Sequence, residues 1–124
     1  MYNWIKQGSI YNVNANYDWN QSHAQVPVVD VLKDRLRVYY STRNTQGMSN
    51  VSYLELDIDN PSIILYENDK PILELGNIGA FDDCGIMPSS ISIIFLLTPW
   101  PKRTCISALF SANDAATFGL MDTN

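Results

Sequence analysis

The sequence predicts an all-β fold. Apolar and acidic residues alternate with period two through Leu54-Glu55-Leu56-Asp57-Ile58-Asp59, β-branched and aromatic runs recur between turn-forming clusters, and no long amphipathic helical pattern interrupts the chain up to Leu97. Together these place strand after strand along most of the chain.

Taken in order, Val26 to Leu32 is rich in valine, which suits a pleated and half-buried surface. Lys33-Asp34 leaves room only for a tight hairpin before Arg35-Leu36-Arg37-Val38-Tyr39-Tyr40-Ser41. Asn44-Thr45-Gln46-Gly47 supplies the next turn, its glycine free to take a positive φ. The alternating run from Leu54 then reads as an antiparallel strand with Glu55, Asp57 and Asp59 on a wet face. After Asn60-Pro61, Ile63-Ile64-Leu65-Tyr66 forms a short fourth strand, and Asn68-Asp69-Lys70-Pro71 breaks it. Four strands with short turns, from Gln25 to Tyr66, have the pattern of one antiparallel meander, which is the content of a single propeller blade.

Pro71 to Leu75 then crosses to a second unit, whose first strand is Gly85 to Leu97. Thr98-Pro99-Trp100-Pro101-Lys102-Arg103 cannot continue a central strand, because each proline removes a ladder donor. Thr104 to Asn124 has weak period of either kind, and Ser107 to Met121 reads equally as a poor helix or a frayed strand. The expected organisation is therefore a β unit over 1–97 and an irregular, atypical tail over 98–124.

Composition narrows the function classes. The chain has 124 residues, about one ordinary domain, and its 13 acidic and 8 basic side chains give a formal charge of −5. Lys6, Lys33, Arg35, Arg37, Arg43, Lys70, Lys102 and Arg103 are scattered, whereas phosphate-tracking surfaces need clustered positive charge, so neither nucleic acid nor an anionic membrane is an expected partner. Two cysteines, Cys84 and Cys105, make no disulfide framework and read as reduced, half-buried thiols. The N-terminus lacks the apolar run of a signal peptide, and Ile91 to Leu97 is too short to span a bilayer; the expected location is cytoplasmic.

One eleven-residue segment points to chemistry. Phe81-Asp82-Asp83-Cys84-Gly85-Ile86-Met87-Pro88-Ser89-Ser90-Ile91 sets two adjacent acids and a glycine just before an apolar strand. Ser22-His23-Ala24-Gln25-Val26-Pro27-Val28-Val29 repeats the layout, with polar side chains ahead of a proline and a β-branched run. With Leu36-Arg37-Val38-Tyr39-Tyr40-Ser41-Thr42-Arg43 and Asp57-Ile58-Asp59-Asn60-Pro61, these segments resemble the N-terminal part of five-bladed β-propellers of the glycoside hydrolase type, the superfamily of families 43, 32 and 130. The resemblance covers roughly Trp4 to Ile93 and implies a partial five-bladed propeller, the first blade plus the start of the second.

In such propellers the inner strand of each blade starts near the central axis, so the resemblance implies a carbohydrate ligand in a shared funnel. Glycoside hydrolysis commonly uses two carboxyl groups across the scissile bond. By resemblance Asp82 or Asp83 stands where the second blade contributes a catalytic acid, and His23 and Gln25 stand at the start of the first blade. Two departures bear on activity: no carboxylate lies near His23 closer than Asp18, and the later blade that supplies the proton donor has no counterpart here. The resemblance thus implies a carbohydrate-active protein whose present chain is a fragment, truncated or frame-shifted after the second blade begins, and without glycosidase turnover of its own. A non-catalytic carbohydrate-binding propeller module and a non-functional gene remnant are the alternatives.

Each candidate residue also has a structural reading. Asp82 and Asp83 are either a charged pair at a pocket floor, one raising the pKa of the other, or loop caps bonding nearby amides. His23, the one histidine, either contacts a sugar hydroxyl or acts in proton transfer, or else holds a neutral structural hydrogen bond, and alone it offers no metal site. Gln25 is a hydroxyl partner, and Arg43 pairs either with a substrate carboxylate or phosphate or with an internal acid such as Asp83. Trp4 and Trp19 either stack on sugar rings or simply pack. No glycine-rich phosphate loop, Cys-x-x-Cys or Gly-x-Ser-x-Gly is present, and no cofactor or metal is expected.

Overall fold

The alternating runs form the strands their periods require. The computed structural model describes residues 3–94, 103–112 and 115–123, and among these no helix occurs. Strands β1 (Ser22–Val31), β2 (Arg35–Arg43), β3 (Ser49–Asp57) and β4 (Ile64–Glu67) pair antiparallel in chain order as a four-stranded meander. A second antiparallel sheet follows, made of β5 (Ile86–Ile94), β6 (Arg103–Ala112) and β7 (Ala115–Thr123). The protein is therefore all-β, and neither sheet closes on itself.

The tail departs from expectation. An irregular segment was predicted over 98–124, yet β6 and β7 pair in continuous register from Thr104↔Thr123 to Ala112↔Ala115. A free strand edge explains the difference: β5 supplies ladder partners from Ile86↔Phe110 to Ile94↔Arg103, and Thr104-Cys105-Ile106 are adequate strand formers once paired. Period alone carries no information about a partner's edge. The Pro99-Trp100-Pro101 break and the expected end of β5 at Leu97 lie outside the described residues.

Strand alternation gives the four-stranded sheet two faces. On the front, Tyr40, Leu54 and Leu56 form a buried cluster, with Leu36, Val38 and Tyr11 packed against it. Tyr11 arrives on a strap from the N-terminal side; its hydroxyl donates to Glu67 Oε1 at 2.6 Å and lies 3.2 Å from the Tyr40 hydroxyl. Burial and these contacts push the Tyr11 pKa far above its ordinary value, so the phenol stays a donor.

The back face is graded along the strands. At one end Glu55 receives Arg35 and Arg37, each at 2.7 Å. Next come Tyr39, Tyr53 and Tyr66, with ring centroids 5.8 Å apart in sequence across the ladder and the Arg37 guanidinium 4.9 Å above Tyr53. Beyond them Val51 is buried against Ile86 of β5, with Ile72, Leu73 and Leu75 around the pair. Burying Val51 and Ile86 contributes about 1.5–3 kcal/mol each, and their contact joins the two sheets. At the far end lie Ser41, Arg43 and Ser49.

Glu55 therefore does not sit on a wet face. Its side chain is only 8% exposed, because two guanidinium groups close over it. Asp57 turns outward at the strand end, where its Oδ1 accepts from the Asp59 and Asn60 amides and shapes the turn before Pro61. Burial alone raises the Glu55 pKa, but the hydrogen bonds from Arg35 and Arg37 outweigh it and hold the carboxyl below its usual range.

A carboxyl with a depressed folded pKa gives stability that is complete above its unfolded value of about 4.3 and is lost as pH falls through the folded value. Glu55→Gln is expected to cost about 2 kcal/mol at pH 7, since charge-assisted hydrogen bonds weaken. The urea midpoint of the parent should fall more steeply between pH 5 and pH 3 than that of the variant. Parallel curves for the two proteins would show that Glu55 contributes no such linkage.

Candidate functional site

The start of β1 is bent by two irregularities. Its register against β2 shifts between Ser22 and Gln25 and again between Gln25 and Val28, and His23 and Val26 sit at φ of 66° and 51°. These are left-handed values that a β-branched valine adopts only under strain. No glycine or asparagine stands at either position, so the sequence carried no signal for them. The bulges leave Gln25 opposite Ser41 and Ser22 opposite Arg43. His23 is exposed, and its Nδ1 lies 2.8 Å from Ser22 Oγ.

The adjoining turn ties this end of the sheet together. Asn20 donates its amide to Tyr17 O at 2.9 Å, Gln21 to Arg43 O at 2.8 Å and Thr45 to Asp18 O at 3.0 Å. Trp19 stacks on Tyr17 with centroids 5.8 Å apart and planes 16° from parallel, whereas Trp4 is 96% exposed. Asn20 is fully buried and accepts from Thr42 Oγ1 at 2.5 Å.

Across the seam, Gly85 forms a parallel bridge with Ser49. A Cβ on Gly85 would lie 2.8 Å from the Ser49 nitrogen, and φ is +145°, so both space and backbone require glycine. β5 packs across β1, β2 and β3 from this point, which brings the mouth of the second sheet beside the mouth of the first.

Asp82 and Asp83 precede that glycine in a chain of tight turns: Ala80 donates to Asn77 O, Asp83 to Ala80 O and Gly85 to Asp82 O. Asp83 Oδ2 accepts the Gly79 amide at 2.7 Å, and the Asp82 carboxylate lies against Gly76. Contact with the Cys84 thiol first, and with the Gly79 amide second, holds the Asp83 pKa below the usual carboxylate range. Cys84, expected to be half-buried, is instead exposed and free.

The structure brings Ser22, His23, Gln25 and Arg43 to one sheet end, with the Asp82–Gly85 turn beyond Ser49. Among the described residues no hydrogen bond or ion pair joins Asp82 or Asp83 to His23, Gln25 or Arg43, so the expected Asp83–Arg43 contact is not made. Sequence reasoning missed Ser41, a small polar residue in an apolar strand; it is 0% exposed and its Oγ has no partner. No group of three potential metal ligands converges among the described residues. A hollow of about 360 Å³ lies on the opposite, front face, walled by Ile10, Tyr11, Leu36, Val38, Leu54 and their neighbours, and it contains none of the predicted site residues.

Fold and site define an all-β chain of two antiparallel sheets, with polar side chains at the end of the first sheet beside which the second begins. Two Mycobacterium tuberculosis proteins are similar to it: Uncharacterized protein MT1551 of strain CDC 1551 / Oshkosh and Uncharacterized protein Rv1502 of strain ATCC 25618 / H37Rv, each 37% identical over 89 residues. The match takes in 71% of this chain and 30% of each relative, so the chain spans about 30% of the length of the curated proteins it matches. No family model matches the chain, and no solved structure matches it significantly.

Two variants test the geometry. Gly85→Ala should lower stability by about 1–3 kcal/mol in urea unfolding, since the backbone must abandon either its φ or its contact with Ser49. For Asp83, the Gly79 amide resonance should titrate with a midpoint below about 3.9, and Asp83→Asn should abolish that titration. A midpoint at or above the ordinary aspartate value would assign Asp83 a different environment.

Proposed function

We propose that this chain forms the first blade and the start of the second in a carbohydrate-active β-propeller, and that it binds saccharide without cleaving it. The observation that carries the proposal is the double bulge at His23 and Val26. Strained backbone of this kind persists where surrounding structure holds it, and it clusters at ligand sites. Here it sets Gln25 and Ser22 beside Ser41 and Arg43, a group of neutral and cationic hydrogen-bonding side chains suited to sugar hydroxyls.

Two further features support blade architecture. The four-stranded meander carries a buried apolar cluster on each face, as a sheet stacked between neighbouring sheets requires. The next sheet begins directly beside it, through Gly85 and Ile86. Binding rather than cleavage follows from the acids. Hydrolysis needs one carboxyl group protonated as a general acid opposite a second carboxylate. Asp83 is held ionised by its turn and makes no contact with the polar group at β1.

Titration of the 124-residue protein with a panel of neutral and acidic oligosaccharides, followed by amide NMR and by chromatography of the sugar, tests this. Shifts confined to residues around His23, Gln25 and Arg43, weakened about tenfold by Gln25→Ala, with no product released, are the expected result. Product formation that disappears in an Asp82→Asn, Asp83→Asn double variant would overturn the binding-only assignment. Absence of any shift across the panel would overturn the carbohydrate assignment itself.

A further inference from the structure

We infer that the stacked rings of Tyr17 and Trp19 form a platform for a second sugar ring, so that the ligand is a saccharide chain of two or more pyranose units; the inference rests on the sugar-binding role proposed above. The two ring centroids are 5.8 Å apart and the planes lie 16° from parallel. Stacked rings in contact are about 3.5–4 Å apart face to face, so the wider centroid separation requires a sideways offset of about 4–5 Å. Neither ring fully covers the other, and the pair presents a stepped apolar surface. Solvent reaches that surface: Tyr17 is 41% exposed and Trp19 is only half-buried.

The platform is fixed before any ligand arrives. The Tyr17 carbonyl accepts from the Asn20 amide at 2.9 Å and from Gln21 Nε2 at 2.8 Å, and the Asp18 carbonyl accepts from the Thr45 amide at 3.0 Å. A preorganised aromatic surface loses little freedom on binding, which suits the weak attraction between a ring face and sugar C–H groups. Among the described residues all three non-glycine positions with positive φ, Ala15, His23 and Val26, fall in this one stretch, on either side of the ring pair. Strain gathered in a single segment marks the part of the chain whose shape is held for a ligand.

Position decides what the platform adds. The Gln21 amide donates to Arg43 O at 2.8 Å, and the next residue, Ser22, faces Arg43 across the ladder, so the turn that carries the rings runs directly into the strand that carries His23 and Gln25. The exposed His23 and the exposed rings thus belong to one sheet end. Flat rings and hydrogen-bonding side chains read different parts of a sugar: the first its apolar C–H face, the second its hydroxyls. A pyranose seated on Tyr17 is then the neighbour, along a glycosidic chain, of one bonded at His23 and Gln25.

Titration of the full chain with glucose, mannose and xylose, and with the β-1,4-linked dimer and trimer of each, followed by amide and indole NMR, tests the inference; Trp19→Phe identifies the Trp19 indole signal by its loss. At least one dimer should bind about ten times tighter than its own monomer and move the Trp19 indole signal, which the monomer leaves in place. Tyr17→Ala should bring that dimer back to within about twofold of the monomer without changing the monomer's shifts at His23 and Gln25, whereas Tyr17→Phe, which keeps the ring, should retain the gain. If Tyr17→Ala does not fold, Tyr17→Leu, which keeps apolar bulk but no flat face, decides the matter with the same expected loss. Equal binding of monomers, dimers and trimers, with shifts confined to residues around His23 and Gln25, would overturn the inference and leave saccharide binding standing. A gain with length that survives Tyr17→Ala or Tyr17→Leu would overturn the ring pair as its source. No shift with any of these sugars would overturn the sugar-binding role and this inference with it.

Discussion

The close approach of Gly85 to Ser49 is the constraint on which the arrangement depends. No side chain fits between the two backbones, and the positive φ of Gly85 turns the chain from its loop directly into β5. One residue later, Ile86 is delivered onto Val51, and the apolar seam between the sheets begins. The same contact decides where the acidic turn sits and which end of the first sheet is left polar. A bulkier residue at this point would force the two backbones apart and, with them, the apolar seam that starts one residue later.

The back face shows how one sheet surface can serve several purposes in succession. Ion pairs close one end over Glu55, aromatic rings fill the middle, aliphatic side chains bind the second sheet, and polar groups finish the strand. The order follows from energetics. A carboxylate can be covered only where cations accompany it, so Arg35 and Arg37 surround Glu55. Arg43 makes no ion pair among the described residues, and it lies at the other end of the strand from that carboxylate.

The meander was legible because its determinants are local. Period-two alternation, the Lys33-Asp34 hairpin, Asn44 to Gly47 and the Asn60-Pro61 turn each act over a few residues, and β1 to β4 fall close to where they place them. What was not legible acts at a distance. The bulges at His23 and Val26 occupy residue types that normally avoid positive φ, the covering of Glu55 depends on a neighbouring strand, and β6 and β7 needed the edge of β5. Of the candidate site, the nearness of His23, Gln25 and Arg43 follows from hairpin pairing, whereas the tether from Asp83 to Gly79 depends on the exact fold of one loop. Ser41 gave no sign of its burial, because a serine in a strand reads as a surface residue.

The strap that carries Tyr11 to Glu67 joins groups 56 residues apart, and its contact with Tyr40 spans 29. Closing so long a loop loses chain entropy before any contact repays it, whereas the hairpins of the meander close over a few residues. On this ground the β2–β3 hairpin is expected to pair before Tyr11 finds both of its partners. The N-terminal strap is thus a latch on the front of the sheet, one phenol fastening its second strand to its fourth.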